Sequence, residues 1–382
     1  MKIGITCYPT YGGSGVVATE LGLELAHRGH EIHFISYAPP IRLTNTSDRI
    51  HFHEVEVSTY PLFDHPPYAL SLAVKMLEVA EASHLDLLHV HYAIPHSVSA
   101  LLARAMAAPQ RLPFITTLHG TDITLVGADR SYLPITRFSI EQSDGVTAVS
   151  QYLKERTVRE FEIKRPVEMI PNFVNCDLYC RASDELQGQF RAQWAPGGEP
   201  ILVHLSNFRP VKRVTDVVEI FALVRARMPA KLVLMGDGPD RGAAEYLVRR
   251  KKLTADVHFL GKQERIHDKL GVADLFLLPS ELESFGLAAL EAMACEVPVI
   301  ATSVGGVPEV VAHSVDGYLV PPGDVGAAAR YAVEILSRSD RGREMGQQAR
   351  ASAMKNYCAS KIIPLYESYY QKVLEKGSAA RA

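Results

Sequence analysis

The sequence has little that would tie it to a membrane, to nucleic acid or to an oxidising compartment. No run of 18 apolar residues occurs, so no transmembrane helix is expected. The charges nearly cancel, with 40 Lys and Arg against 43 Asp and Glu, and a net charge of -3 gives no bias towards nucleic acid or an acidic membrane. The cysteines are few and odd in number: Cys7, Cys176, Cys180, Cys295 and Cys358. Cys7 and Cys295 sit in apolar settings, which favours reduced thiols over a disulfide framework. Cys176 and Cys180 are spaced C-x3-C without a second ligand pair, a poor zinc pattern. The opening MKIGITCYPTYGG enters a strand directly with no signal-peptide pattern, and a cytoplasmic protein is expected.

What remains is a globular chain, 47% hydrophobic and 22% charged, and at 382 residues too long for one ordinary core. Short apolar runs alternate with helical patterns in its first half. Strands are expected at 3–7, 32–36, 51–57, 87–91, 114–118, 145–149 and 167–170, with helices at 16–27, 68–82, 97–107 and 152–161. That β-α-β alternation predicts a mainly parallel sheet. The polar stretch 181–200 reads as a linker or surface segment. Strands resume at 201–206, 231–236, 257–261, 275–279, 297–302 and 317–320, and the segments 325–336, 342–355 and 360–376 read as helices. The expected fold class is α/β, with two Rossmann-like, doubly wound parallel-sheet domains at 1–172 and 173–358. A closing helical segment, 359–382, is expected to brace the first domain.

Ligands of open parallel sheets sit beyond the carboxyl ends of the strands, and two such domains would face a central cleft. The loops after the strands therefore carry the candidates. Tyr8-Pro-Thr-Tyr-Gly-Gly-Ser-Gly15 precedes a helix, and Gly13, Gly15 and Ala18 satisfy G-x-G-x-x-A. A dinucleotide site would share that pattern, but it wants an acidic residue after the second strand, which ends in Ser36 and Tyr37. A structural turn and a backbone that closely approaches a phosphate both remain open. His89-Val-His-Tyr-Ala-Ile-Pro-His96 and Thr116-Thr-Leu-His-Gly-Thr-Asp122 close two more strands. His89 lies inside a strand and reads as a satisfied core residue. His91, His96 and His119 lack the HxxE or HExxH spacing of a metal site. His119, before Gly120, is the candidate for contact with a reacting group, and a plain strand-end cap is the alternative.

In the second half, Arg209 and Lys212 lie in the loop Ser206-Asn-Phe-Arg-Pro-Val-Lys-Arg213, stiffened by Pro210. A forked guanidinium and a point-charge ammonium beside a helix start suit a diphosphate, and a solvated basic loop is the alternative. Gly236-Asp-Gly-Pro-Asp240 is a turn that lines the site by backbone. Gly261-Lys-Gln-Glu-Arg265, with Lys262, can read a flat base. Glu283-Ser-Phe-Gly-Leu-Ala-Ala-Leu-Glu291 sets one carboxylate at the end of a strand and a second about two helical turns on, roughly 10 Å away at the rise of a helix. Between the two, Ser284, Phe285, Gly286 and Leu287 offer helix-start amides that favour an anion. Alone, this pair also reads as a helix-start carboxylate and a solvated helix residue.

Taken together, GGSG, HGTD, FRPVKR, GDGP, Glu283 to Glu291 and the following GGVPE resemble the retaining GT-B glycosyltransferases of family 4 over nearly the full length. The opening 37 residues, HVHYAIPH and TLHGTDIT are similar to the bacillithiol-pathway members that join N-acetylglucosamine to L-malate. The resemblance implies a first domain that binds the acceptor and a second that binds the nucleotide sugar. It further implies UDP-N-acetylglucosamine as donor substrate, L-malate as acceptor, no cofactor and no essential metal, in agreement with the lack of any D-x-D. By the same resemblance Arg209 and Lys212 hold the diphosphate, Glu291 the ribose and Glu283 the transferred sugar, while Phe285 to Leu287 offer amides. Gly13 approaches the β-phosphate and His119 lies beside the sugar. For malate the candidates are Ser14, Tyr92 and Thr121. No nucleic acid or stable membrane partner is expected, and a homodimer is.

Overall fold

The computed structural model describes residues 1–10, 12–43, 47–57, 65–124 and 129–379. Tyr11 of the glycine-rich loop and positions 380–382 of the expected C-terminal segment lie outside the described residues. The chain divides into two compact units, Met1–Asn172 with Ile362–Ala382, and Phe173–Lys361.

In the first unit the order is β1 (Lys2–Thr6), α1 (Gly13–His27), β2 (Glu31–Ser36), β3 (Ile50–Glu54), α2 (Tyr68–Ser83), β4 (Leu87–His91), α3 (Val98–Ala107), β5 (Phe114–Leu118), α4 (Thr121–Thr124), α5 (Leu133–Gln142), β6 (Gly145–Ala148), α6 (Gln151–Phe161) and β7 (Glu168–Met169). The strands form one parallel sheet in the order β3-β2-β1-β4-β5-β6-β7. Every residue of β4 and β5 is buried, whereas β3 at the edge is only half-buried. Strands covered by helices on both faces lose the alternation of an edge strand. Leu72 and Met76 of α2 and Ala100 and Ala103 of α3 pack with Leu88, Val90 and Phe114 beneath them.

The second unit runs α7 (Asp184–Trp194), β8 (Ile201–Leu205), α8 (Val214–Arg225), β9 (Lys231–Met235), α9 (Arg241–Arg250), β10 (Val257–Gly261), α10 (Ile266–Leu270), β11 (Leu275–Leu278), α11 (Leu287–Ala294), β12 (Val299–Thr302), α12 (Val307–Val310), β13 (Gly317–Val320), α13 (Val325–Ser337) and α14 (Ser339–Asn356). Its parallel sheet is ordered β10-β9-β8-β11-β12-β13. Both sheets thus reverse direction of winding beside their first strand, between β1 and β4 and between β8 and β11, the switch points where ligands of such sheets bind. Val217, Phe221 and Val224 of α8 and Ala332 and Ile335 of α13 close the core over β8, β9 and β11. Full burial of a side chain such as Phe221 is worth about 1.5–3 kcal/mol.

The stretch 181–200, expected as a linker, instead contains α7, and the reason is local. Ser183 caps the helix by accepting from the Leu186 amide at 3.4 Å, and Asp184 and Glu185 complement the positive end of its dipole. Trp194 then anchors the other end, 2% exposed and stacked 4.8 Å from Phe190. Elsewhere the strand expected at 51–57 is Ile50–Glu54, and that at 167–170 is cut to Glu168–Met169.

The final helix, α15 (Ala359–Ala379), begins in the second unit, and from Ile362 its residues cluster with the first. Tyr366 and Tyr370 are fully buried. Because β7 pairs only with Thr147 and Ala148, Val146 lacks a ladder partner on that side. The Tyr369 hydroxyl replaces it, accepting from the Val146 amide at 2.9 Å and donating to its carbonyl at 3.1 Å. Gly145 makes room, since a Cβ there would lie 2.9 Å from the Tyr369 ring and from Val373.

Candidate active site

In the second unit, loops at the carboxyl ends of three neighbouring strands are fastened to one another. Gly236 donates to the Gly261 carbonyl at 2.8 Å, and a Cβ on Gly236 or Gly238 would collide with the carbonyls of Ser206 and Asn207. Gly236 also has φ of 118°, so both space and conformation require glycine there. Beneath this loop His204 donates from Nδ1 to the Leu277 carbonyl at 2.9 Å and accepts at Nε2 from Ser206, 2.8 Å away. Ser206 Oγ accepts in turn from the Phe208 amide at 3.2 Å. The chain of bonds needs a neutral imidazole, and burial depresses the His204 pKa to about 4. It holds Phe208, a buried residue with φ of 40°, immediately before Arg209.

Arg209 itself is exposed and its guanidinium has no ion-pair partner among the described residues. Three residues on, after a turn of 3-10 helix at Pro210–Lys212, Lys212 Nζ lies 2.6 Å from Glu283 Oε1. The same oxygen accepts from Ser280 at 2.8 Å, and the Glu281 amide donates to Val211 at 2.8 Å. The cationic turn and the start of the Glu283 loop are thus one assembly. The loop enters α11 through Gly286 with φ of 96°. Phe285 is buried edge-on against Tyr357 at 5.6 Å, which fixes the first turn, while Ser284 and Leu287 are half-buried. Glu291 is only 4% exposed and accepts from the Tyr179 hydroxyl at 2.8 Å. Lys262 is exposed in the loop after β10.

In the first unit the glycine-rich loop feeds α1 at Gly13, three residues earlier than the expected start. Gly13 is exposed and Ser14 half-buried, at the end where helix amides are unsatisfied. Gly15 instead allows a close backbone approach, since a Cβ there would lie 2.5 Å from the Tyr8 carbonyl. At the ends of β4 and β5, His119 Nε2 lies 2.8 Å from His91 Nδ1, and the rings stack at 5.0 Å. Tyr92 is within 5.5 Å of the His119 ring and holds φ of 93°, a strained value for a tyrosine. Behind them His89 bonds Tyr370 at 2.8 Å and Thr117 at 2.7 Å.

Burial pushes His119 and His89 down to about 3 and His96 to about 4, so this cluster is neutral at neutral pH. The Nε2 atoms of His91 and His96 are buried without a hydrogen-bond partner among the described residues. Thr121 is half-buried at the start of α4.

Sequence reasoning missed four of the residues that build these sites. Asp122 ties the loop together, accepting from the amides of Gly120 at 2.8 Å, Ala93 at 3.1 Å and His119 at 3.3 Å, while burial raises its pKa to about 6. His204 and Tyr179 act through other residues, and Asn207 Oδ1 is a buried acceptor with no partner among the described residues. For Asp122, the HGTD motif itself held the signal: an aspartate two residues after a glycine turn is suited to accept its amides.

Residues 11–178 match the family described as Glycosyltransferase Family 4, and residues 187–352 match that described as Glycosyl transferases group 1. The chain belongs to the family 4 glycosyltransferases of the GT-B fold. It is 48% identical over 375 residues to the N-acetyl-alpha-D-glucosaminyl L-malate synthase of Bacillus anthracis, covering 98% of this chain and 97% of that one. It is 27% identical over 370 residues to the D-inositol 3-phosphate glycosyltransferase of Mycolicibacterium smegmatis, covering 90% and 81%. Among solved structures, sucrose-phosphate synthase from Thermosynechococcus elongatus superposes with a TM-score of 0.81 at 23% identity, covering 98% of this chain and all of that one. Anabaena HepE in complex with UDP and glucose gives 0.79 at 20% identity, covering 97% and 99%. At such identities these structures speak for the fold.

Proposed function

We propose that the chain transfers N-acetylglucosamine from UDP-N-acetylglucosamine to the hydroxyl of L-malate, with retention at the anomeric carbon. The observation that carries this reading is the 48% identity across 98% of the chain with a protein named N-acetyl-alpha-D-glucosaminyl L-malate synthase. The donor belongs to the second unit. Arg209, exposed and without an ion-pair partner among the described residues, and Lys212 bind the diphosphate, with the amides of Phe285, Gly286 and Leu287 at the start of α11. Glu283 orients the transferred sugar, and its contact with Lys212 couples sugar and diphosphate binding. Glu291, held by Tyr179, takes the ribose hydroxyls, and Lys262 lies by the base. In the first unit the Gly13 amide meets the β-phosphate, His119 the sugar, and Ser14, Tyr92 and Thr121 the malate.

In the transfer the bond from the anomeric carbon to the phosphate oxygen breaks, and a bond to the malate hydroxyl oxygen forms on the same face. A leaving phosphate oxygen takes the hydroxyl proton, so no carboxylate base is required. His119, neutral because its pKa lies near 3, supports the sugar by hydrogen bonding, not by proton transfer. Charge grows on the departing diphosphate, and prepositioned cations and amides that meet it lower the barrier. This charge balance calls for no bound metal. Both substrates are small, polar and anionic, in keeping with a cytoplasmic reaction.

Turnover of UDP-N-acetylglucosamine with and without L-malate tests the reading. Malate-dependent UDP release with an α-linked product is expected. Acceptor-independent release of free sugar would point to an epimerase, and equal turnover with an inositol phosphate would point to another family acceptor; either would overturn the reading.

A further inference from the structure

We infer that Glu31, His33 and His51 form a binding site for one divalent transition-metal ion, with zinc the best match, at the β2–β3 edge of the first sheet. Glu31 and His33 are two apart on β2 and His51 is the second residue of β3. Side chains two apart on a strand share a face, and the parallel register sets His33 beside His51. Glu31 Oε1 lies 3.1 Å from His33 Nε2 and 3.7 Å from His51 Nε2, and one ligand atom from each of the three falls within 4.8 Å of the others. Among the described residues no other group of three such side chains is gathered this way.

Two imidazole nitrogens and a carboxylate oxygen are a borderline-soft N/O set that suits zinc. With metal–ligand bonds of about 2.0–2.2 Å in a tetrahedron, ligand atoms lie roughly 3.3–3.6 Å apart, between the two spacings found. A fourth position would be open to water, because the His51 side chain is 41% exposed. The second layer is also present. His33 Nδ1 lies 2.9 Å from His53 Nε2, which can fix the ring so that Nε2 faces Glu31. His33 is itself 4% exposed and is flanked by the rings of His51 at 4.7 Å and His53 at 5.2 Å. Lys2 Nζ, 3.5 Å from Glu31, approaches the other carboxylate oxygen, Oε2, and leaves Oε1 to the histidines.

The site lies at the amino-terminal end of β2, away from the strand ends that carry His91 and His119, so it is separate from the transfer chemistry. It would clip the edge strand to its neighbour, since metal binding to the folded state adds to stability. The bland alternative is a polar, hydrogen-bonded edge that discourages pairing with other chains.

The two readings separate on titration of the chelator-treated full-length protein with zinc alone. One molar equivalent is expected to bind, with a rise in thermal midpoint, and cobalt(II) in its place should give the visible absorption of a four-coordinate site. Glu31→Gln and His51→Ala, both at partly exposed positions, should each weaken binding by at least about tenfold. His65→Ala, at an exposed histidine outside the cluster, should leave it unchanged. No stoichiometric binding, or binding that both cluster variants retain, would overturn the inference.

Discussion

Lys212 and Glu283 illustrate how a single contact can be both structural and chemical. Their side chains are 23% and 11% exposed, so the 2.6 Å pair is partly withdrawn from water, and Glu283 is further restrained by Ser280. Lys212→Ala removes the cation proposed for the donor diphosphate and leaves Glu283 without its ion-pair partner. The transfer rate is expected to fall by a factor of about 10²–10³, or on the order of 3–4 kcal/mol in the barrier, as when one oxyanion donor is removed. Arg209→Ala should cost a similar factor with no change in thermal midpoint, because its side chain is exposed and its guanidinium pairs with nothing among the described residues. Steady-state UDP release by variants with wild-type circular dichroism measures both. Full activity in either would remove that residue from the diphosphate site.

Glu291 presents the opposite case, a buried carboxylate whose orientation depends on Tyr179. Tyr179→Phe deletes a hydrogen bond to a charged acceptor, worth about 1.5–3 kcal/mol. The expected result is a higher KM for the donor with kcat little changed, since the ribose contact proposed for Glu291 would be felt equally in ground and transition states. A fall in kcat at constant KM would show that Glu291 plays another part.

At the level of elements, the last helix depends on a glycine in a strand far away in sequence. Gly145→Val would drive a branched side chain into the Tyr369 ring and Val373, and would displace the hydroxyl that completes the hydrogen bonding of Val146. Overpacking of this kind costs about 1–3 kcal/mol, and the lost hydrogen bonds add to it. A lower thermal midpoint is expected, with exposure of α15 to proteolysis. Equal stability of the variant would mean that α15 does not need this seat.

Another helix, α7, shows where sequence reading reaches its limit. Alternating strands and helices were legible because hydrophobic periodicity is local, and so were the positions of the candidate loops, since each follows a strand directly. The helix α7 was hidden by its polar composition: only Trp194 is buried along it, so no apolar stripe marked it. The pairing of His91 with His119, the Tyr179 contact with Glu291 and the Glu31, His33 and His51 group join residues 28, 112 and up to 20 positions apart. Strand register and side-chain rotamers decide such meetings, and neither can be read from spacing within one segment.

Across the molecule, the histidines that burial holds furthest below their ordinary pKa are unevenly shared. His89, His91, His96 and His119 lie in the first unit and His204 in the second, all with pKa values depressed by burial. Unfolded, each would titrate near 6.5. Below that pH the unfolded chain binds more protons than the folded one, so stability is present above 6.5 and is lost as pH falls towards the depressed folded values. Between pH 6.5 and 5 the loss is on the order of 2 kcal/mol for each fully buried histidine. Asp122 acts in the other direction. Its raised pKa of about 6 makes the folded state take up a proton first, which adds stability as pH falls through 6, but it is one group against four.

The chain's one tryptophan, Trp194, is buried in the second unit and therefore reports unfolding there, while circular dichroism reports both units. On acidification from pH 7.5 to 5.0 the midpoint seen by circular dichroism should fall further than that seen by tryptophan fluorescence. Midpoints that do not change with pH would be incompatible with neutral buried imidazoles. An equal fall by both probes would mean that the two units unfold together, with α15, which begins in one unit and continues in the other, as the element that couples them.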